Sequence, residues 1–395
     1  MKIGLHAHSL LLASGLREYK PVGRGLLSAA ELLDKAAELH CSGVQLARRN
    51  IPDAEWDMVT LVRLRAQAEQ LGLTLHLSTN LLVGEHLAEL IRHASFLNAA
   101  QVTVGISRLK GNVQQRQRTL ENLLSEMDVA IKTAEKYKVM LAFENGRHTA
   151  AADLEAFIQA AQSEWVGVCF DMANPLTVPE NPVESAQRLA PYCKSAHMKD
   201  WQVYRCAEGA TLVNCPIGEG VMEITDVLRV LKARHPELLV FLQTVAERVP
   251  VPVLRDSFLL EYPRISARAL ASLLRRGTEE FTDELCFPHE RKVSEREVLR
   301  WEEVRLKRSL RQVQKLIGEE SQSLSLEEEN AYVEPVAQPP RKRKADVPKW
   351  TDDRAKSTQK PAAKSLGAET LTLELDGQHN TLSLTARKRG KAAKS

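Results

Sequence analysis

At 395 residues the chain has room for one large domain with an appendage, or for two modest domains. Its 54 basic and 51 acidic residues leave a net charge of +3, too little to argue for a nucleic-acid partner from the total. Six cysteines without CxxC spacing, no apolar run long enough to span a membrane and no signal-peptide core at Met1 to His8 argue against a disulfide framework, a structural zinc site or a membrane protein, and favour a cytoplasmic one.

Lys2–Leu5 reads as a first strand. Ser28 followed by Glu31 is a capping box that opens an apolar-periodic helix to about His40. Residues 43–47 form the next apolar run, and a helical pattern follows from Asp57 to Leu71, with Gly72 as its stop. The alternation continues with a strand at 73–77, a helix at 85–98, an extended stretch at 101–105 and a long amphipathic helix over 115–137. Strands ending at Glu144, Asp171 and His197 follow, separated by helices at 150–161 and from Asn181-Pro182 to about Ala190. After a longer loop come a helix near 225–233, a strand at 238–242 and a last helix near 257–275.

About eight strand–helix units over some 275 residues fit a (β/α)8 barrel. An open doubly wound sheet fits less well, because no glycine-rich turn follows the first strand. Beyond Arg276, Ser294 and Glu297 form another capping box. The stripe Leu299, Leu306, Leu310, Val313 and Ile317 then marks a charged amphipathic helix, expected to pack on the outside of the barrel or on a partner subunit. From Ser321 periodicity is lost and Pro, Lys, Ser and Glu dominate, the composition of a disordered tail. Three regions result: a TIM barrel over 1–276, a helical extension over 277–320 and a disordered basic tail over 321–395. From Pro339 onward fourteen basic residues face six acidic ones, so the remainder of the chain is net acidic. Such a tail is most simply solvated, with weak binding of an anionic polymer as the sharper reading.

The strand ends carry the chemistry. In a parallel sheet with helical crossovers every strand C-terminus lies at one end. Glu144, Asp171 and His197 are therefore expected to meet. Two carboxylates and an imidazole suit one divalent ion, Mn²⁺, Co²⁺, Mg²⁺ or Zn²⁺, and leave coordination positions open for a substrate.

Phe143-Glu-Asn145, Cys169 to Leu176 (CFDMANPL), Ser195 to Asp200 (SAHMKD) and Pro216 to Val221 (PIGEGV) together resemble the sugar phosphate isomerase/epimerase family, the xylose-isomerase-like TIM barrels. The resemblance covers about Met1–Arg275. It implies a divalent metal held by Glu144, Asp171, His197 and a further Glu at the end of the eighth strand. Gln243 stands there instead: its carbonyl oxygen can ligate a hard cation, but it cannot act as a base. The resemblance also implies proton transfer next to the carbonyl of a small carbohydrate, with Glu144 and the residue at 243 on opposite faces. With Gln243 present, a one-base isomerisation, an elimination or binding without turnover remain.

On the rim, His6, Asn145, Asn174, Lys199, Asp200, Trp201 and Glu219 are candidates for substrate contacts. Lys199 suits a substrate oxygen or phosphate, Asp200 the orientation of His197, and Trp201 the face of a sugar. A homo-oligomer is compatible with this reading. Two rivals stand beside it: a non-catalytic barrel that binds a sugar or a protein partner, and a nuclease of the endonuclease IV type. The latter requires a three-metal site with more strand-end histidines than this chain supplies.

Overall fold

The computed structural model describes residues 1–15, 27–51, 56–106, 111–277, 279–281 and 287–318. The tail over 321–395 and most of the loop after the first strand lie outside these. Eight parallel strands close into a barrel. In chain order they are β1 (Lys2–His6), β2 (Gly43–Ala47), β3 (Thr74–Thr79), β4 (Gln101–Gly105), β5 (Met140–Glu144), β6 (Val166–Asp171), β7 (Cys193–Met198) and β10 (Leu239–Leu242). β10 pairs with both β7 and β1, which closes the ring, and every neighbouring pair is parallel. This is a TIM barrel.

Helices cover the outside: α1 (Ala29–Glu38), α2 (Met58–Gln70), α3 (Gly84–Phe96), α4 (Val113–Tyr137), α5 (Ala151–Ala161), α6 (Pro182–Leu189) and α7 (Ile224–Arg234). Local chemistry sets their starts. Ser28 Oγ accepts the Glu31 N–H while the Glu31 carboxylate accepts the Ser28 N–H. Asp57 accepts from Val59 and Thr60 at the start of α2. Asn181 does the same before Pro182, whose missing N–H costs nothing at the first helical position. Strands such as β2 and β6 are buried along their whole length, as expected of strands with side chains in the barrel on one face and against helices on the other.

Two regions depart from the sequence reading. The stretch after β7, expected to be a loop, is a hairpin of β8 (Asp200–Cys206) and β9 (Gly209–Cys215). Gly209, at φ 141, makes the tight reversal. With β11 (Arg248–Val251) and β12 (Glu279–Glu280) they form a second sheet, in the order β11-β9-β8-β12. The helix expected over 257–275 is two: α8 (Asp256–Glu261) and α9 (Ala267–Arg276). Pro263 lies between them; it lacks an N–H and disfavours helical geometry in the residue before it, so one continuous helix does not form.

The last helix, α10 (Glu295–Ile317), packs on the barrel. Leu306, Leu310 and Val313 join the main core, and Val298 and Trp301 join a smaller cluster with Leu12, Tyr204, Val213, Ala246 and Phe287. Its polar residues reach back along the chain. The buried Glu302 carboxylate accepts the N–H groups of Leu12 and Ala13, and Arg305 donates to the carbonyl and side-chain oxygens of Asn214.

Candidate metal centre

Strand register places the three strand-end residues together. Asp171 is the direct partner of His197, and Glu144 pairs with Cys169, two residues before Asp171 and on the same side of the pleat. Ligand atoms of Glu144, Asp171 and His197 all lie within 4.8 Å of one another. Atoms bound at about 2.0–2.2 Å to one ion lie at most about 4.4 Å apart, so a shift of a few tenths of an ångström closes this set on an ion. Among the described residues it is the one group of three or more His, Cys, Asp or Glu side chains arranged for a metal.

The surroundings fix each candidate ligand. Asp171 Oδ1 accepts the N–H groups of Ala173 and Asn174 at 2.9 and 3.0 Å, which turns Oδ2 the other way. The Asn145 side chain clasps the Asp171 backbone, accepting its N–H at 2.7 Å and donating to its carbonyl at 2.9 Å. Asn174 donates to the Asn145 carbonyl at 2.9 Å and reaches Glu144 Oε1 at 3.4 Å. His197 Nε2 lies 2.8 Å from Gln45 Oε1. With Nε2 donating to that amide oxygen, Nδ1 faces Glu144 Oε1, 3.2 Å away.

The polar atoms that face this pocket suit a cation. Asp171 Oδ2 and His197 Nδ1 are buried and engaged by the ion pairs with Lys199 and Glu144, without a further hydrogen bond, and buried Gln243 Oε1 makes no hydrogen bond. Buried polar atoms are rarely left so, and a bound ion is one of the standard explanations. Gln243 directly follows β10, and its N–H is bonded to the Met198 carbonyl, the residue after His197. Its amide nitrogen lies 3.3 Å from His8 Nδ1. The residues fit a divalent ion with mixed oxygen and nitrogen ligands.

Charges are dense here. Lys199, only 4% exposed, puts its ammonium 2.7 Å from Asp171 Oδ2 and 3.9 Å from Glu247 Oε1. Glu247 also holds Arg147 through its other oxygen. Burial pushes the Asp171 carboxyl up, against the pull of Lys199. Burial also works to raise Glu144, but the His197 imidazolium and Lys199 outweigh it and bring its pKa down to about 2. Burial would lower His197, whereas Cys169 and Glu144 lift it well above its ordinary value. Without an ion, Glu144 and His197 therefore share an ion pair. Burial and Lys199 hold His8 near 4, and burial and His8 keep His6 neutral as well.

The other rim candidates are placed as follows. The His6 ring stacks edge-on to His197 at 4.9 Å, and its Nδ1 accepts the His8 N–H. Asp200 accepts the N–H groups of Trp201, Gly218, Gly220 and Met222, so it organises the loop over 216–222 rather than His197. Trp201 is fully buried; its indole N–H donates to the Ala173 carbonyl and its ring packs among Leu176, Val203, Leu212 and Val251. Its faces are taken up by protein. Glu219 in that loop pairs with Arg308 of α10 at 2.5 Å. Glu247, four residues past Gln243, is near enough in sequence to be weighed as a partial substitute for the carboxylate absent at 243; in the structure it engages Arg147 and Lys199. Nothing local marks Gln45, whose partner His197 is distant in sequence.

A closed parallel barrel with a carboxylate–carboxylate–imidazole cluster at strand ends defines a TIM barrel with a candidate divalent-metal site. The family profile described as "Xylose isomerase-like TIM barrel" matches residues 33–250, more than half of the chain, and the chain belongs to that family. It is 25% identical over 225 residues to the 3-oxo-isoapionate decarboxylase of Pectobacterium atrosepticum, covering 56% of this chain and 78% of that protein. Solved structures with a similar fold include D-psicose 3-epimerase with D-tagatose from Clostridium cellulolyticum H10 (13% identity, TM-score 0.48, 70% and 96% coverage). The IOLI protein with a binding zinc atom is similar to the same degree (14% identity, TM-score 0.48, 70% and 96% coverage). Among the described residues no helix is long and apolar enough to cross a membrane.

Proposed function

We propose that the chain is a divalent-metal-dependent enzyme acting next to the carbonyl of a small polyhydroxylated substrate, as an isomerase or a related lyase. The observation that carries this is the meeting of Glu144, Asp171 and His197, whose buried Asp171 Oδ2 and His197 Nδ1 are engaged by Lys199 and Glu144 and lack a further hydrogen bond. Gln243 Oε1, likewise buried and lacking one, is the fourth candidate ligand. When bound, the ion supplies positive charge at a substrate carbonyl and so favours removal of a group from the adjacent carbon. Glu144 is the carboxylate suited to carry a proton: it touches the cluster, and its side chain keeps 18% of its surface accessible. Lys199 and Asn174 orient substrate oxygens beside it, and His6 closes the wall behind His197.

Gln243 narrows the chemistry. Epimerisation with proton transfer on two faces needs a second carboxylate, and an amide cannot provide one. A one-base isomerisation through Glu144 needs only the groups present. So does decarboxylation, in which CO₂ leaves and a single proton is returned. The similarity to a decarboxylase favours this second reading. The test is a screen of keto-sugars and keto-acids with added Mn²⁺, followed by ¹³C NMR in D₂O, which separates deuterium exchange with isomerisation from loss of CO₂. Glu144→Gln is expected to abolish turnover of whichever substrate is found. Unchanged turnover would remove Glu144 from its role. A purified protein that retains no divalent ion and binds none would favour a non-catalytic barrel.

A further inference from the structure

The charges around the cluster do not balance for a neutral substrate. The carboxylates are Glu144, Asp171 and Glu247, and the cations are Lys199 and Arg147. His6 is buried and His8 half-buried; desolvation, with neighbouring histidines and Lys199, disfavours the charged form of both, and buried His76 is neutral too. His197 is neutral once Nδ1 binds an ion. The sum is zero without the ion, where His197 is protonated, and +1 with a divalent one. A Glu at position 243 would bring the loaded site to zero; Gln243 does not. A net charge in a buried, low-dielectric site is costly unless a ligand neutralises it.

There is a place for that ligand. Lys199 and Arg147 meet at Glu247, whose Oε1 is buried and makes no hydrogen bond. Lys199 is held inside by Asp171, while the Arg147 side chain is 41% exposed, so it is the cation a solute can reach. A guanidinium binds a carboxylate through two parallel N–H donors.

We propose that the substrate is a monoanion, a hydroxy- or keto-acid with one carboxylate received by Arg147 and Lys199, and that Gln243 selects it over the matching neutral sugar or polyol. This rests on the metal-dependent reading above. It holds for isomerisation and for decarboxylation alike.

The test is calorimetric and needs no turnover. The full chain is titrated first with Mn²⁺, then with matched pairs differing only in a carboxylate for a CH₂OH group: pyruvate and hydroxyacetone, 2-keto-D-gluconate and D-fructose, D-gluconate and D-sorbitol. The acid of at least one pair is expected to bind about tenfold or more tighter than its partner, the consequence of one extra charge contact in a partly desolvated site. Gln243→Glu should retain Mn²⁺ binding and bring the pair close to parity. Arg147→Met should weaken the acid, leave the neutral partner unchanged and leave Mn²⁺ binding intact. Equal or reversed preference in the Mn²⁺-loaded protein, binding of neither member of any pair, or a preference that survives Gln243→Glu overturns the inference and leaves the metal reading standing. Failure to bind Mn²⁺ at all overturns both.

Discussion

His197 has two ring nitrogens, and what holds one decides what the other can do. Gln45 Oε1, 2.8 Å from Nε2, favours the tautomer that frees Nδ1 for an ion. Gln45→Leu removes that partner, and Mn²⁺ affinity measured by calorimetry is expected to fall roughly 10- to 100-fold, the usual cost of losing a histidine's supporting hydrogen bond. An unchanged affinity would mean that packing alone orients the ring. His76 on β3 makes a pH prediction. It is 4% exposed, has a buried Nδ1 without a partner, and its pKa is lowered to about 3 by burial and by His197. The unfolded chain takes up its proton near pH 6.5 and the folded chain does not, so this group removes stability as pH falls from about 6.5 towards about 3. Between pH 7 and 5 the loss from this one site is about 2 kcal/mol. In urea unfolding, His76→Leu should lose less stability than the parent over that interval by about this amount; equal losses would show that His76 does not stay neutral. The three candidate ligands at strand ends were legible because each closes an apolar run. Gln45 was not: a polar residue within an apolar strand becomes informative only when its spatial neighbour is known.

At the scale of elements, local patterns served best where an element has one solvent face. The capping boxes at Ser28 and Ser294 lie where the helices begin. The β8–β9 hairpin was missed because every residue of β9 is buried, so the inside–outside alternation that marks a half-exposed strand is absent. One side of this second sheet packs with Ala173, Leu176 and Leu273, the other with Leu12 and Trp301. The hairpin also shapes the site. Lys199 is the single residue between the barrel strand that carries His197 and the first strand of the added sheet. The Asn214 N–H, in turn, holds the Glu247 carbonyl at 3.0 Å. α10 reaches the same rim through Glu302. Its carboxylate, 4% exposed, accepts the Leu12 N–H at 2.7 Å and the Ala13 N–H at 3.0 Å, just after the strand that carries His6. Glu302→Ala would leave these donors unsatisfied, at an expected cost of about 2–5 kcal/mol in chemical denaturation. Glu302→Gln, which keeps one acceptor, should recover part of it. A loss below about 1 kcal/mol would show that water replaces the carboxylate.

For the whole molecule, the question is where the folded unit ends. The barrel strands close without α10, yet seven outer helices precede β10, and the short α8 buries none of its residues. The apolar side of α10 instead joins the main core: Leu306, Leu310 and Val313 are each at most 1% exposed. Burying one such side chain is worth about 1.5–3 kcal/mol, so these three together supply roughly 5–9 kcal/mol, comparable to the whole net stability of an ordinary domain of about 5–15 kcal/mol. Glu302, Arg305 and Ser309 add polar ties to Leu12, Asn214 and Ile217, all on connections around the barrel. α10 thus acts as part of the barrel's outer layer despite standing after a change in sequence character. A chain ending at Gly318 is expected to melt cooperatively and to retain Mn²⁺ binding. A chain ending at Val293 lacks α10; it should express poorly or melt at least about 10 °C lower, given that each kcal/mol moves the midpoint by about 2–4 °C in a domain of this size. Equal melting of the two chains would show that α10 lies on the barrel without supporting it.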